Sequence, residues 1–510
     1  MRDDGHMTPN AQDFAAWAAR ISQRTNRSLA GARLRIDAEA DRSAFAMSAA
    51  QWGMSPASSD DAASINGHRL PVAFDATAAP ESVADARAFD GKQAMEHARR
   101  HMRVLAALMD ELKAEVDFAG VRIAVCLVLE PKTAVLLRAL KDAGATVGVF
   151  CEPSDTDPRV IEPLRAEGIV VEADPAWGPE ETHAGALRLL DAIRPHVIID
   201  DGASFARLAA LERPELLKGP DGLIGVAEET TSGVRAFQAM QDAGALGFPV
   251  VAVNDSVLKT GFDNEHGTGE TCVTTMQAIL GDDAFAGARV TVVGYGPVGR
   301  GFARRIRALG ARATICDVDP VAALKAVFDG FEARDIDAAL PHADIVVSAT
   351  GVRHTIALDH MRAMRDGAAL AVIGGIANEI ALDEIPGFRP EPGRPIRDLA
   401  VPGGPMLRLL AEGDGVNYTA GGGNPIEIMD LSFAVQASAV AHLIRGHTNG
   451  TLAPGLTRLD EASDRRIAAV ALAVRGHSAS HAVADNGYDW TLTRFADAGG
   501  ASERSERKEP

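Results

Sequence analysis

A strand-like run that ends in a glycine-rich turn is the first segment whose residue types and spacing could do chemistry. Residues 289–299 read RVTVVGYGPVG, and a helical pattern through Phe302, Ile306 and Leu309 follows. The first glycine of such a turn permits a tight bend, the second lets a pyrophosphate approach the backbone, and the third lets helix pack on strand. The helix N-terminus then faces the phosphates. This spacing predicts a dinucleotide site formed by Gly294, Gly296, Pro297, Val298 and Gly299.

Asp317 indicates which dinucleotide the turn would hold. It stands at the end of the next strand-like run, eighteen residues after Gly299. A carboxylate at this position accepts hydrogen bonds from the adenosine ribose hydroxyls and repels a 2′-phosphate. The alternative is a glycine-rich turn without a ligand, but strand, turn, helix and acidic residue together favour NAD over NADP.

Alternating strand and helix patterns predict the elements that position this turn. A helix is expected over 91–112, and strand-like runs follow at 121–128, 145–151, 169–172, 196–200, 223–227 and 250–253. A second series lies at 289–293, 313–316, 344–348 and 369–373. Because helical patterns separate most of these runs, each series predicts a parallel sheet with crossover helices. The fold class is therefore α/β, with two doubly wound parallel-sheet domains, the second a Rossmann NAD-binding domain, and a hinged cleft between them.

The same patterns divide the 510 residues into five parts. Residues 1–88 are rich in Ala, Asp and Ser, and we expect a partly ordered N-terminal appendage with a short amphipathic helix over 12–21. Residues 89–264 form a substrate-binding α/β domain, and residues 265–425 form the Rossmann domain. Residues 426–498 contribute C-terminal helices that return to the substrate domain, the first over 428–445. Residues 499–510 are polar and predicted to be disordered.

Composition argues against several kinds of partner. The formal net charge is -19 and no block of basic residues interrupts it, so nucleic acid is not an expected partner. No apolar run reaches the roughly 18–20 residues of a membrane span, and no secretory signal opens the chain, which predicts a cytoplasmic protein. The four cysteines are scattered without CxxC spacing, which favours buried thiols over disulfides. No His, Cys and carboxylate spacing suggests a metal.

Several further motifs resemble those of the adenosylhomocysteinase family. Residues 228–233 read EETTSG and residues 254–267 read NDSVLKTGFDNEHG, where the family reads close to EETTTG and NDSxxKxxFDNxYG. Residues 200–202 (DDG), 317–320 (DVDP) and 411–417 (AEGDGVN) also match. The resemblance runs from about residue 90 to 475 in the family's order. It implies bound NAD, a nucleoside-like small-molecule substrate, and a homo-oligomer, either a dimer or a tetramer.

The resemblance also implies a reaction. In this family NAD oxidises the ribose 3′-hydroxyl to a ketone, which acidifies the C4′ hydrogen. A base removes that hydrogen and the 5′ thiolate leaves. Water then adds and the ketone is reduced again, so that the cofactor is regenerated in each turnover. Closing the cleft keeps water away from the intermediates.

Individual residues take catalytic roles by the same resemblance. Lys259 and Asp263 surround the 3′-hydroxyl and assist its deprotonation, Asn264 lies by C4′ and the nicotinamide, and Asp201 completes the catalytic set. Burial and the positive nicotinamide can lower the pKa of such a lysine, which suits a base. The alternative is an ordinary polar strand end.

Other positions match binding contacts of the family. Glu229 would hold a ribose hydroxyl, and the remaining substrate-binding positions are Thr133, Asn424 and His266. The cofactor contacts outside the glycine-rich turn are Thr230, Thr231, Ser232 and Asn417.

The pattern breaks at the nucleobase and leaving-group end. Val128, Gly375 and Asn424 stand where the family has histidines, and Lys132 replaces a glutamate that meets the nucleobase. The lysine and tyrosine that cap a neighbouring subunit's cofactor site are not recognisable in the C-terminal tail. Cleavage of adenosylhomocysteine itself is therefore in doubt, whereas redox chemistry at a sugar-like secondary alcohol is not.

Two residues could replace the lost acid–base capacity. His266 is either such a replacement or, on the plainer interpretation, a pocket-wall residue in place of the family's tyrosine. Glu130 is either a new acid or base or a solvated carboxylate at a strand end. Three functions stay open: an adenosylhomocysteinase-like enzyme with an altered substrate, an NAD-dependent oxidoreductase or epimerase of a nucleoside-like alcohol, and a non-catalytic NAD-binding regulatory paralogue.

Overall fold

Two seven-stranded sheets organise the protein in a computed structural model, which describes residues 11–36, 42–57, 64–65, 68–69, 74–76, 79–374, 378–391 and 393–481. The first sheet has the strand order β19-β11-β10-β9-β6-β7-β8. Its strands are β6 (Arg122–Cys126), β7 (Thr146–Phe150), β8 (Val170–Glu172), β9 (Val197–Asp200), β10 (Gly225–Glu228), β11 (Pro249–Ala252) and β19 (Gly455–Thr457). All neighbours are parallel, and β9 and β10 are buried throughout, as expected for a sheet covered on both faces.

Helices precede and connect the strands of this first sheet. They are α3 (Gly91–His101), α4 (Arg103–Glu115), α5 (Pro131–Asp142), α6 (Pro158–Ala166), α7 (Pro179–Ile193), α8 (Ser204–Glu212) and α9 (Thr231–Asp242). The predicted single helix over 91–112 is thus two helices that meet at Met102 (φ -93°, ψ 66°). The buried Asp430 carboxylate accepts the amide hydrogens of Val104 (2.9 Å) and Leu105 (2.8 Å) and so caps the start of α4.

The second sheet has the order β14-β13-β12-β15-β16-β18-β17. Its strands are β12 (Arg289–Val293), β13 (Arg312–Cys316), β14 (Glu332–Ala333), β15 (Ile345–Ser348), β16 (Ala369–Val372), β17 (Ile396–Ala400) and β18 (Met406–Leu410). Its helices are α12 (Pro297–Ala308), α13 (Pro320–Phe328), α14 (Ile336–Ala339), α15 (Leu358–Ala363) and α16 (Val416–Thr419). Only the β17–β18 pair is antiparallel among the described strands of this sheet. Two doubly wound sheets, the second of Rossmann type, confirm the predicted fold class.

Two further segments join the sheets. α10 (Val257–Lys259), a π-helical segment (Thr260–Thr268) and α11 (Gly269–Leu280) lead from β11 to β12. α17 (Ile426–Thr448) then packs in the core of the first sheet, followed by β19 beside β11 and by α18 (Glu461–Val474). By length and composition alone α17 could cross a membrane, contrary to the expectation that no segment could. In the structure 89% of its most apolar window is buried, as in the core helix of a globular protein.

The N-terminal residues carry more structure than their sequence pattern suggests. They contain α1 (Ala11–Thr25), β1 (Arg33–Arg35), α2 (Arg42–Gln51), β2 (Ser55–Ala57), β3 (Ser64–Ile65), β4 (His68–Arg69) and β5 (Phe74–Asp75). Phe14, Trp17 and Trp52 share a hydrophobic core with Phe285 and Phe302 of the second unit. The appendage therefore packs against the Rossmann unit, and the apolar face of α1 is what binds it there.

Candidate active site

Two pairs of acidic residues, Asp200–Asp201 and Glu228–Glu229, stand at the carboxyl ends of the neighbouring strands β9 and β10. The two members of each pair make different contacts. Asp200 accepts the amide hydrogens of Phe205 (3.0 Å) and Ala206 (2.8 Å). Glu228 accepts those of Gly202 (3.0 Å) and Ala203 (2.9 Å). Both side chains are buried and hold the loops after β9 and β10 in place. Because successive side chains of a strand alternate in direction, the second members, Asp201 and Glu229, are directed elsewhere.

These second members lie beside Lys259, at the end of α10. The Lys259 ammonium is 2.8 Å from an oxygen of Asp263, one turn further on, and 4.0 Å from Oε1 of Glu229. It also donates to the side-chain carbonyl of Asn264 at 3.2 Å. Lys259, Asp263 and Glu229 are all buried. The structure thus brings together the four predicted catalytic residues and the predicted ribose-binding glutamate.

Burial and mutual charge set the protonation of this cluster. Burial alone would lower the pKa of Lys259, but Asp263, Glu229 and Asp201 outweigh it and raise that pKa above its usual value. Three carboxylates surround one ammonium here, and the lowered pKa expected beside a bound nicotinamide stays a prediction. Burial raises the pKa of Glu229 to about 8 and also raises that of Asp201, although Lys259 opposes both shifts.

Asn424 is one of the three residues that stand where the family has histidines. It links the Lys259–Asp263 cluster to the loop after the second sheet. Its side-chain amide donates to Asp263, and its carbonyl accepts from the amide of Asn417 at 3.0 Å. The Asn424 side-chain amide also donates to the Thr268 hydroxyl at 3.1 Å. Asn417, a predicted cofactor contact, is therefore linked to Asp263, a predicted catalytic residue, through one buried side chain.

Gln436 is a member of the site that the sequence analysis missed. From the middle of α17 it donates a hydrogen bond to Oε2 of Glu229. Oε1 of Glu229 is buried and has no hydrogen-bond partner within the described parts of the chain. Gln436 lies within a predicted helix, and the sequence offered no signal that this helix would reach the carboxyl edge of the first sheet.

Other predicted positions contact different partners. The Thr133 hydroxyl donates to the Val128 carbonyl at 2.6 Å, and Nδ1 of His266 accepts from Arg305 at 3.1 Å. Burial and Arg305 lower the pKa of His266 to about 4, so its ring is neutral at physiological pH. These contacts favour the plainer interpretation of His266 as a wall residue. Gly375, the position of another lost histidine, lies outside the described residues.

The predicted cofactor contacts after β10 form a small hydroxyl cluster. Thr230 caps α9 by accepting the Gly233 amide hydrogen and lies 3.2 Å from the Ser232 hydroxyl. Thr231 donates to the side-chain carbonyl of Asn254 at 3.1 Å. Their roles toward the cofactor stay predictions.

A cavity of about 250 Å³ lies beside the cluster, at the end where the family pattern breaks. Val128, Tyr418 and Gly423 are among its lining residues. Glu130 and Lys132 also line it and form an ion pair of 2.7 Å. The interpretation of Glu130 as a solvated carboxylate is wrong, because its side chain is only 13% exposed. Burial raises its pKa, and Lys132 opposes that shift.

The glycine-rich turn has the shape that a dinucleotide requires. Gly294 has a φ of 99°, which favours glycine, and a Cβ on Gly299 would lie 2.0 Å from the Gly294 carbonyl oxygen. A Cβ on Gly296 would meet nothing within 4 Å, so the turn is open where a pyrophosphate approaches. No side chain caps α12, and its first amide groups face this opening. Asp317 accepts the Tyr295 amide hydrogen at 2.7 Å and keeps acceptor capacity for ribose hydroxyls.

Among the described residues, no group of three or more His, Cys, Asp and Glu side chains could hold a metal ion. All four cysteines are buried free thiols, as predicted.

Comparison with known sequences agrees with this geometry. Residues 82–218 match the sequence model of S-adenosyl-L-homocysteine hydrolase, and residues 264–423 match that of its NAD-binding domain. An S-inosyl-L-homocysteine hydrolase of Methanopyrus kandleri is 38% identical over 391 residues, 76% of this chain and 91% of that protein. An adenosylhomocysteinase of Thermococcus kodakarensis is 39% identical over 394 residues, which cover 76% of this chain and 91% of that protein. An adenosylhomocysteinase of Thermoplasma volcanium is 37% identical over 363 residues, which cover 70% of this chain and 87% of that protein.

Both sequence models match in order, and the relatives are covered over most of their length. The glycine-rich turn lies within the residues that match the NAD-binding model. The chain therefore belongs to the S-adenosyl-L-homocysteine hydrolase family and is an NAD-dependent enzyme of that family.

Proposed function

We propose that the enzyme transiently oxidises a ribose-type secondary alcohol of a nucleoside-like thioether and promotes elimination and water addition at the adjacent carbons. The substrate differs from adenosylhomocysteine at the nucleobase and leaving-group end. Lys259, Asp263, Asn264 and Asp201 are the proposed catalytic residues, and Glu229 holds the sugar. The relatives named as adenosylhomocysteinases and S-inosyl-L-homocysteine hydrolases support a substrate of this class.

The observation that carries this proposal is the unsatisfied oxygen of Glu229. Oε1 is buried, lacks a hydrogen-bond partner within the described residues, and faces the Lys259 ammonium at 4.0 Å. Buried polar atoms without partners are rare and costly in folded proteins. A sugar hydroxyl that donates to Oε1 would satisfy it, which is the role that the family resemblance assigns to this residue.

The cluster can handle the hydroxyl proton of a bound alcohol. Bound NAD would supply the hydride acceptor, held by the turn from Gly294 to Gly299 and by Asp317. Asp263, oriented by Asn424 and paired with Lys259, is placed to accept the hydroxyl proton. The Lys259 ammonium stabilises the negative charge that builds on the alcohol oxygen. Since the raised pKa keeps Lys259 protonated, we assign it this electrostatic role in the resting enzyme.

The remaining predicted binding residues keep their proposed roles. Thr230, Thr231, Ser232 and Asn417 are proposed cofactor contacts, and Asn424 is proposed to position Asp263 beside the substrate. Thr133 and His266 are proposed to shape the substrate pocket through their contacts with Val128 and Arg305.

The test mixes NAD-loaded enzyme with S-adenosyl-L-homocysteine and S-inosyl-L-homocysteine, and records NADH absorbance together with release of free thiol. We expect both signals from at least one thioether. The matched control is the same thioether with a 3′-deoxyribose, which lacks the hydroxyl to be oxidised and should give neither. NADH without thiol would favour an oxidoreductase or epimerase. Neither signal from these thioethers, together with no NADH from adenosine or inosine, would favour the non-catalytic paralogue.

We also propose that the protein is a cytoplasmic homo-oligomer. α13 in the Rossmann unit exposes Val321 (71%), Leu324 (57%) and Phe328 (86%), three large apolar side chains on one short helix. Such a patch is typical of an interface. Light scattering should give a molar mass that is two or more times the 53.5 kDa of one chain. Phe328→Asp should lower the measured molar mass. A monomeric wild-type protein would contradict the proposal.

A further inference from the structure

The residues before position 82 lie outside both matched sequence models, yet one part of them reaches the substrate cavity. We call residues 23–30 the strap. Gln23 and Asn26 of the strap line the cavity together with Glu130 and Lys132. The family match therefore does not account for one wall of this site.

Buried or half-buried contacts anchor the strap on both units. The buried Glu270 carboxylate of α11 accepts the amide hydrogens of Leu29 (2.9 Å) and Ala30 (3.3 Å). Glu427, at the start of α17, accepts the Ser28 amide hydrogen at 3.0 Å and pairs with Arg27 at 2.7 Å. The strap thus contacts both α11 and the start of α17, and these contacts fix the four residues that follow Asn26.

Asn26 links the strap to the charge-reversed position of the cavity. Nζ of Lys132 donates to the side-chain carbonyl of Asn26 at 2.7 Å, and the Asn26 amide lies 3.3 Å from the carbonyl oxygens of Gly422 and Gly423. Lys132 is almost fully buried, with Glu130 as its ion-pair partner. A glutamate at position 132 would turn a second carboxylate toward Glu130 and could not donate to Asn26. The charge reversal that the sequence assigned to nucleobase recognition therefore has an intramolecular partner.

We infer that the strap is a specificity element of the substrate site: Asn26, held by Lys132, closes the cavity at the end where the nucleobase of a nucleoside thioether would bind. The inference deepens the proposed function, on which it rests for the class of substrate. The Glu130–Lys132–Asn26 group presents acceptor and donor atoms side by side. It therefore matches the edge of a purine, which carries both donors and acceptors. Asn26 acts as a positioning residue for this wall, because its side chain holds Lys132.

The experiment compares substrate affinity with and without the Asn26 side chain. Asn26 has a φ of 48°, so Asn26→Gly removes the side chain without backbone strain, whereas alanine would introduce it. Arg24→Ala is the matched control, because Arg24, in the last turn of α1 and two residues before Asn26, bonds the Val83 carbonyl and does not line the cavity. The probes are adenosine, inosine and the base-free S-ribosyl-L-homocysteine, with dissociation constants measured by calorimetry on the full-length NAD-loaded protein.

We expect Asn26→Gly to weaken adenosine or inosine binding by on the order of 10- to 100-fold, because Lys132 then loses the hydrogen bond that holds its charged group in this wall. The dissociation constant of the base-free probe should change by less than about twofold. Arg24→Ala should bind all three probes with the wild-type dissociation constants. A parallel loss for all probes, unchanged binding, or a wild-type protein that does not favour base-bearing probes would each overturn the inference. Base-selective binding that depends on Asn26, without any NADH formation, would retain the strap's role and refute the proposed reaction.

Discussion

Asn424 donates a hydrogen bond from its side-chain amide to the carboxylate of Asp263, across a separation of 161 residues. The same side chain accepts from Asn417 at 3.0 Å. Asp263 belongs to the π-helical segment after the first sheet, whereas Asn424 and Asn417 follow the second sheet. The orientation of Asp263, the proposed catalytic aspartate, is therefore set by the segment that follows the second sheet.

Asn424→Ala should slow nucleoside-dependent NADH formation by roughly 10- to 100-fold, because small misplacements of a catalytic group have costs of that order. Asn424→Asp should be more damaging, since it places a carboxylate directly against Asp263. Stopped-flow NADH absorbance measures both rates. Thr268→Val, which removes one outer partner of Asn424, is the control and should lose much less activity. If Asn424→Ala reacts as fast as wild type, Asp263 does not need this contact.

Asp317→Ala should weaken NAD binding by roughly 1–3 kcal/mol, because it removes the acceptors for the ribose hydroxyls. Asp319→Ala is the matched control: Asp319 caps α13 by accepting the Val321 amide hydrogen, so its loss should cost about 1 kcal/mol of stability and leave NAD affinity unchanged. Calorimetric titration of cofactor-free protein separates the two effects. Equal NAD affinities for both variants would remove Asp317 from the cofactor site, as would tighter binding of NADP than of NAD by wild type.

Adenosylhomocysteine should be a poor substrate, because Val128 and Asn424 provide no imidazole at two positions where the family has one. Homocysteine release by this enzyme, assayed beside an adenosylhomocysteinase, should be slower by at least about 100-fold, the scale of one lost acid–base contribution. Val128→His alone should not restore the rate, since Lys132 remains bound to Glu130 and Asn26. Comparable rates for the two enzymes would show that these substitutions are neutral.

His266 should make the protein less stable in mild acid. Its pKa is about 4 in the folded state against 6.5 for a free side chain, so between these values only the unfolded chain binds the proton. The stabilisation is complete above pH 6.5 and is lost as the pH falls toward 4. Between pH 7 and 4.5, wild type should lose about 1–3 kcal/mol more free energy of unfolding than His266→Gln. Urea unfolding at both pH values measures the difference, and identical losses would show that His266 is not kept neutral.

Short-range patterns were sufficient to predict ten of the fourteen strands described in the two large sheets, whereas β14, β17, β18 and β19 were missed. The run at 289–293 coincides with β12, and the glycine-rich turn, Asp317 and Lys259 lie where local motifs put them. Apolar runs between helical patterns allow few other arrangements, because parallel strands need crossover helices. The break at Met102 was missed, since the carboxylate that caps α4 belongs to Asp430, more than 300 residues away.

Long-range contacts explain the other differences between prediction and structure. Asn26 stands in a stretch without periodic pattern, and only the folded chain brings it to Lys132. Glu229 and Asp201, which raise the pKa of Lys259 together with the neighbouring Asp263, reach it from the ends of two other strands. Charges that meet only after folding leave no local signal in the sequence.

The proposed oxidation of the substrate alcohol depends most on the Lys259–Asp263 pair. The most direct test is the NADH absorbance after NAD-loaded enzyme is mixed with a reactive nucleoside thioether. Lys259→Ala should keep its NAD content and its Tm nearly unchanged, yet form NADH on the order of 10²–10⁴-fold more slowly than wild type. Asp263→Asn should show a loss of similar size, because it removes the proton acceptor while keeping the shape of the side chain. A Lys259→Ala enzyme that forms NADH at the wild-type rate would contradict the account.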